Sequence, residues 1–138
     1  MQNTQSIFTE KLRNSGLRPT QQRIKICQIL FDRKETFHFS INELMKTIQL
    51  EVSEKISLAT VYNTVDALLK KGYLKEINIA NDIKYFDTNT SSHHHFYDSK
   101  TKELTDIEKD NVEIKKMPTP PIGKKIDDVT VTFKVSQE

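Results

Sequence analysis

The sequence predicts an α+β fold, with helices in the first half of the chain and short strands in the second. The chain has 138 residues, a length that fits one domain or two small lobes. Apolar residues recur at helical spacing as far as Lys71, and from Tyr73 onward the apolar and polar residues alternate. This change of period at Gly72 is the main evidence for the fold class.

The first two helices are predicted from their apolar spacing and from one glycine. The first spans about residues 4–15 and ends at Gly16, a residue type that tolerates the left-handed conformation found after many helices. The second lies within residues 20–33 and places Ile24, Cys27 and Leu30 on one face. We expect this second helix to be the centre of the core.

Two further helices are predicted from their caps. Ser40 and Glu43 form a capping box at the start of a short third helix. The fourth helix runs from about Ser57 to Lys71 and ends at Gly72. One face of it is expected to turn inward, through Leu58, Val61, Val65 and Leu68.

Two short strands are expected after Gly72, joined by a turn at Ala80-Asn81-Asp82. Helices followed directly by a hairpin are typical of a winged helix-turn-helix. We therefore predict a winged-helix domain over residues 1–88, a polar hinge over 89–92 and a β-rich domain over 93–138.

The β-rich domain is expected to contain four strands. HHHFYDS and KELTDI predict a hairpin around Lys100-Thr101, VEIKKM predicts a third strand and DDVTVTFKV a fourth, with PTPPIG as a stiff connector. A lobe of this size with so few large apolar side chains is marginally stable alone. We expect it to pack against a second copy of itself, giving a homodimer.

Charge and composition restrict the class of protein. Residues 1–72 carry a net charge of +4 and residues 73–138 a net charge of −2, so the first half is the better candidate for binding phosphate. The sequence has no apolar run of membrane-spanning length and no export signal, which predicts a cytoplasmic protein without membrane contact. Cys27 is the single cysteine, so any metal site is expected to use nitrogen and oxygen ligands.

The fourth helix is the candidate recognition helix, which would enter the major groove of DNA. Its outward residues include Thr60 and Asn63, with Tyr62 on the flank. Asn63 suits adenine, Thr60 a base or a phosphate, and Tyr62 a thymine methyl group or a phosphate. The alternative is a boundary aromatic at Tyr62 and an ordinary solvated Asn63.

A second group of candidate DNA contacts lies at the start of the second helix, where backbone N–H groups favour anions. Each of these residues would bind phosphate, and Arg18 would alternatively probe a narrow minor groove. The alternative is a solvated helix start. The group consists of Arg18, Thr20, Gln22 and Arg23.

The histidines are the candidate metal ligands. On a strand, His93 and His95 point to one face with Tyr97, while His94 points to the other face. His38 and Asp87 are the expected completing ligands. Imidazole and carboxylate together suit zinc, iron(II) or manganese. A solvated histidine run is the alternative.

Four segments carry a family resemblance, in the order GLRPTQQRIKIC, FHFSINEL, SLATVYNTVDALLKKGYL and YFDTNTSSHHHFYD. Together they resemble the ferric uptake regulator family of metal-responsive winged-helix repressors. The resemblance implies a homodimer that binds an A·T-rich inverted repeat in double-stranded DNA. It also implies that Arg18 is the minor-groove cation, that Tyr62 contacts bases, and that His38, Asp87 and His93 to His95 are sensory ligands.

Some departures from the family pattern resemble its iron response regulator branch. Asn63 stands where many members have arginine, and the C-x-x-C zinc pairs are absent. That branch implies sensing of haem or iron status, so haem is a candidate ligand beside a divalent metal. We therefore expect a transcriptional regulator of iron homeostasis and not an enzyme. The alternatives are a regulator that senses zinc, manganese or peroxide, a small metal-dependent hydrolase, and a winged helix that binds protein.

Overall fold

The computed structural model describes residues 4–79 and 83–138. The chain divides into two compact units, Met1–Thr90 and Ser91–Glu138. The division falls within the four residues that the sequence predicts to be a hinge. None of the helices in the described residues has the length and apolarity that crossing a lipid bilayer would require.

Four helices form most of the first unit, as predicted. They are α1 (Thr4–Asn14), α2 (Gln21–Phe31), α3 (Ile41–Glu51) and α4 (Leu58–Lys71). Side chains from all four helices form one apolar core, with Ile26, Cys27 and Leu30 of α2 buried in it. Ile24, which we expected on the buried face of α2, is only partly buried.

The helix ends follow the sequence signals. The Ser40 hydroxyl accepts the Glu43 N–H at 3.2 Å, which caps α3. Gly16 and Gly72 adopt φ values of +80° and +92° after α1 and α4. Because a side chain at such φ values is strained, glycine favours helix termination at both points.

A three-stranded antiparallel sheet completes the first unit. It consists of β1 (His38–Phe39), β2 (Lys75–Ile77) and β3 (Tyr85–Asp87) in the order β1-β3-β2. The predicted hairpin is therefore confirmed, and its predicted turn at residues 80–82 lies outside the described residues. Strand β1 was not predicted, since two residues are too few for a periodic pattern. Its pairing places His38 opposite Asp87.

The second unit contains a sheet of three strands in the order β5-β4-β6. Strand β4 (His93–Asp98) pairs antiparallel with β5 (Glu103–Glu108) and parallel with β6 (Thr132–Val135). The predicted hairpin is confirmed, and the last predicted strand is real but shorter than expected.

The predicted strand over VEIKKM is wrong, since residues 112–117 form no strand. A 3₁₀ helix at Lys109–Asn111 precedes this segment. Most of its side chains are exposed, so it has no apolar face to bury against a neighbour. The prolines that follow lack the N–H groups that a strand donates.

The second unit buries few apolar side chains. Among its described residues, Tyr97 and Ile107 are the buried hydrophobics, and His93, His94 and His95 are buried with them. The Phe96 and Phe133 rings lie 5.9 Å apart and are 41% and 43% exposed. An apolar sheet surface thus faces solvent while imidazoles occupy the interior.

We predict that Cys27 resists thiol reagents in the folded protein. The side chain is fully buried, and burial raises the pKa of its thiol from 9.0 to about 12, although the nearby Lys11 lowers it slightly. At pH 8 the reactive thiolate is therefore rare, and a labelling reagent also has no access. Less than a tenth of the thiol should react with a disulfide reagent under native conditions, and one equivalent in denaturant. Rapid native labelling would contradict the packing around α2.

Candidate DNA-binding surface and metal centre

The start of α4 is fixed by a side-chain cap. The Ser57 hydroxyl accepts the Thr60 N–H at 3.2 Å and lies 2.9 Å from the Thr60 hydroxyl. This cap satisfies one of the N–H groups that a helix start leaves unpaired. It therefore fixes where the first turn of the candidate recognition helix begins.

One face of α4 packs into the core, and it differs from the predicted face at one residue. Val61, Val65 and Leu68 are buried as predicted, and Thr64 is buried beside them. Leu58, however, is 50% exposed, so the prediction that it turns inward is wrong. It stands in the first turn, where the helix emerges from the core.

Tyr62, Asn63 and Arg18 are exposed, as a contact with DNA requires. Tyr62 is 52% exposed, one helical turn after Leu58. Asn63 and Arg18 are also exposed. Surface position alone assigns no ligand, so their roles stay predictions at this point.

The other four candidate DNA contacts bond within the protein. The Thr20 hydroxyl caps α2 by accepting the Arg23 N–H at 3.3 Å, and Arg23 Nη1 donates to the Arg18 carbonyl at 3.0 Å. Gln22 Nε2 donates to the Lys55 carbonyl at 3.4 Å. With the Thr60–Ser57 bond, these contacts order the segment around Arg18 and the segment leading into α4.

In the second unit, His93, His95 and Asp106 bring three donor atoms together. Their ligand atoms all lie within 4.8 Å of one another. Asp106 Oδ1 is 3.4 Å from His93 Nε2 and 3.3 Å from His95 Nε2. The two imidazoles come from one face of β4. Asp106 lies on β5, directly opposite His95 in the antiparallel pair.

The hydrogen bond of His93 determines which of its ring nitrogens carries the proton. His93 Nδ1 lies 2.7 Å from the Ser91 carbonyl oxygen, which can only accept, so Nδ1 carries a proton and donates it. In a neutral ring, Nε2 then presents a lone pair toward the Asp106 carboxylate. A cation placed between these two atoms would be attracted to both. A histidine that donates its other N–H to a carbonyl is typical of metal ligands.

His94 is not brought into this group. It points to the opposite face of β4, and its Nδ1 accepts the Val131 N–H at 2.9 Å. In a neutral ring the proton then resides on Nε2, which leaves no lone pair for a metal. His94 joins β4 to the segment before β6, and the structure gives it this structural role.

The first unit holds the other two predicted ligands as a pair. His38 Nε2 lies 3.2 Å from Asp87 Oδ2, and Asp87 is fully buried. The other carboxylate oxygen, Oδ1, accepts the Asn89 N–H at 2.8 Å. The cross-strand register between β1 and β3 is what brings this pair together.

Sequence reasoning missed two residues. Asp106 was not a candidate ligand, although the predicted hairpin around Lys100-Thr101 and its alternation contained the signal. Leu58 was assigned to the core because its spacing from Val61 and Val65 fits a helical stripe. Spacing alone does not show where that stripe leaves the protein.

Comparison with known proteins identifies the family. The sequence model of the ferric uptake regulator family matches residues 14–133. A ferric uptake regulation protein of Pseudomonas putida is 34% identical over 111 residues, which is 80% of each chain. One from Synechocystis is 35% identical over 94 residues, which is 68% of this chain and 56% of the length of that relative.

A solved structure agrees in fold. The ferric uptake regulator from Pseudomonas aeruginosa, determined with manganese, superposes with a TM-score of 0.67 at 22% identity, covering 96% of this chain and 98% of that one. The predicted α+β fold class, a winged helix-turn-helix followed by a small β-rich part, is confirmed at the level of the fold. Because the sequence match spans 120 of the 138 residues, the chain belongs to the ferric uptake regulator family.

Proposed function

We propose that this chain is a metal-responsive transcriptional regulator of iron uptake, which binds double-stranded DNA as a homodimer. The observation that carries the proposal is the exposed first two turns of α4, held outward by a buried face and a cap. This is the arrangement by which a helix-turn-helix protein presents its second helix to the major groove. A cytoplasmic location and an A·T-rich inverted repeat as operator are parts of the same proposal.

The family supports a regulator and not an enzyme. It is named for regulation of ferric uptake. A winged helix that binds protein is the remaining alternative, and DNA-binding measurements separate it from the proposal.

The proposed signal is a divalent metal ion, with His93, His95 and Asp106 as its ligands in the second unit. Two imidazoles and a carboxylate suit iron(II), manganese or zinc. A bound ion would place a positive charge among these three closely spaced donors. Three protein donors leave room for further ligands, and we propose that His38 and Asp87 provide them. His94 is outside the proposed set.

Haem is the less favoured ligand. The His93 and His95 ring centroids lie 4.4 Å apart, which leaves no room for a porphyrin between them. Both rings are also buried, so a porphyrin has little access to either of them. A haem titration that produces a Soret band lost in His93→Ala would reverse this preference.

The proposed response is a shift between conformations. A ligand changes DNA affinity only if it binds the DNA-competent arrangement better or worse than the alternative. In this chain, β3 carries Asp87 and β4 begins at His93, so few residues separate the two groups of ligands. A common ion would limit the movement of this short connection.

The proposed homodimer is supported by the apolar face of the second sheet. Phe96 and Phe133 are exposed on it, and Val135 follows on the same strand as Phe133. Contiguous exposed apolar surface marks interaction sites. A second copy covering this face would compensate for the small core of the unit.

The DNA-binding proposal predicts a specific effect of Arg18→Ala. Because an exposed arginine that binds a phosphate or the minor groove releases counterions, its loss should weaken binding to an A·T-rich palindrome. It should also lower the slope of log affinity against log salt by about one per contacted site. Fluorescence anisotropy across a salt series measures both. Lys100→Ala, an exposed cation in the β4–β5 turn, is the control and should change neither quantity. Equal effects of the two variants would contradict a specific role for Arg18.

The metal proposal predicts that His95→Asn lowers the affinity for Mn²⁺ or Zn²⁺ at least tenfold in calorimetric titration. The control is His94→Asn, whose amide oxygen is able to accept the Val131 N–H, and its affinity should stay within twofold of the wild type. Similar losses in both variants would show that the ligand set is misassigned. Asp87→Asn tests whether Asp87 contributes to the same metal site. An unchanged affinity for the metal ion would restrict the site to the second unit.

The dimer proposal predicts that Phe133→Lys weakens self-association about 30-fold, corresponding to about 2 kcal/mol for an apolar residue at an interface. Sedimentation velocity should show the wild type at twice the chain mass of 16.1 kDa. Ile122→Lys, at a fully exposed position in the proline-rich segment, is the matched control and should remain dimeric. Wild-type protein that sediments as a monomer at micromolar concentration would refute the proposal.

A further inference from the structure

The exposed surface of the first two turns of α4 is mostly apolar. It consists of Leu58, Ala59, Tyr62 and Asn63, with Leu58 and Tyr62 adjacent on the helix surface. Half of each of these two side chains is exposed, although the core lies directly behind the same helix. A leucine and a tyrosine held outward beside each other are a candidate contact for an apolar ligand group.

The helix offers no cation at these turns. Residues 58–69 contain neither lysine nor arginine, and the first cations are Lys70 and Lys71 at the end of the helix. Guanine is usually recognised by arginine or lysine at its O6 and N7 atoms. The exposed first turns of α4 therefore carry neither of the side chains that usually select guanine.

Asp66 limits the surface at its other end. It is exposed one turn after Tyr62, and its carboxylate lies 2.9 Å from Lys70 Nζ. A carboxylate near the DNA backbone is repelled by phosphate, even when a lysine partly compensates it. The surface of α4 that is available for contacts with bases therefore lies before Asp66. It consists of the exposed residues Leu58, Ala59, Tyr62 and Asn63.

The major groove carries one apolar group, the C5-methyl of thymine. Leu58 and Tyr62 match this group in chemistry, and Asn63 matches the N6 and N7 edge of adenine. We propose that Leu58 contacts a thymine methyl group, in addition to the base contacts that the sequence predicts for Tyr62 and Asn63, and that α4 makes no contact to guanine. This inference rests on the proposed function, since it specifies what the DNA-binding surface reads.

Base analogues test the proposal one atom at a time. A duplex selected by the full-length protein from a random pool serves as the operator. Replacing a contacted thymine by deoxyuridine removes only the methyl group and should weaken binding about fourfold, from the transfer free energy of one such group. Replacing a contacted adenine by 7-deazaadenine should weaken binding at least fivefold, whereas 7-deazaguanine should leave it within twofold.

Variants assign the methyl contact to its residue. Leu58→Ala should bring the affinity ratio between thymine and deoxyuridine duplexes close to one at the position it contacts. Leu50→Ala removes a leucine that is 87% exposed at the end of α3 and should leave the ratio unchanged. Neither side chain is in the core, so circular dichroism should show the same helix content for both.

The outcomes separate this inference from the proposed function. A protein that selects no duplex from the pool refutes DNA binding itself. A protein that binds its operator but tolerates deoxyuridine at every thymine, or loses affinity with 7-deazaguanine, remains a DNA-binding regulator and overturns the inference. If Leu58→Ala leaves the affinity ratio between thymine and deoxyuridine duplexes unchanged at every position, the role of Leu58 is overturned.

Discussion

The packing of α4 against the other helices of the first unit determines which of its side chains are exposed to a ligand. Val61, Thr64, Val65 and Leu68 bury one face, the Ser57 cap fixes the first turn and Gly72 ends the helix. With its rotation and its ends fixed, the helix must present Leu58, Tyr62 and Asn63 to solvent. Gln22 bonds to the Lys55 carbonyl before α4, and Arg23 bonds to the Arg18 carbonyl before α2. These two polar side chains therefore stabilise the segments next to the exposed surface.

The second unit differs from the first in its interior, where polar side chains occupy positions that apolar side chains usually fill. Buried histidines on β4 meet Asp106 of β5, and few apolar residues are buried with them. Buried groups of this kind are costly unless they are paired or bind a cation. If a metal ion binds there as we propose, the sheet would be more stable with the ion than without it, and binding would be coupled to stability.

Much of the fold could be predicted from the sequence because its signals are local. Caps at Ser40 and Ser57 and glycines after α1 and α4 act within a few residues, so they are readable in one dimension. Strand β1 and the position of Asp106 beside His93 and His95 depend on pairing between separate segments, which periodicity does not encode. The wrong prediction of a strand at residues 112–117 has the same cause, because a strand forms only where a neighbouring strand pairs with it. Leu58 fits the spacing of the stripe but lies where the helix leaves the core.

Photochemical cross-linking can determine whether the outward surface of α4 enters the major groove. Thymines of the selected operator are replaced by 5-iododeoxyuridine, whose iodine occupies the position of the methyl group, and the irradiated complex is digested and sequenced by mass spectrometry. If α4 enters the groove, cross-links form to the peptide that contains Leu58 to Asn63, with Tyr62 as the main site. Cross-links confined to other segments, with this peptide unmodified, would contradict entry of α4 into the groove.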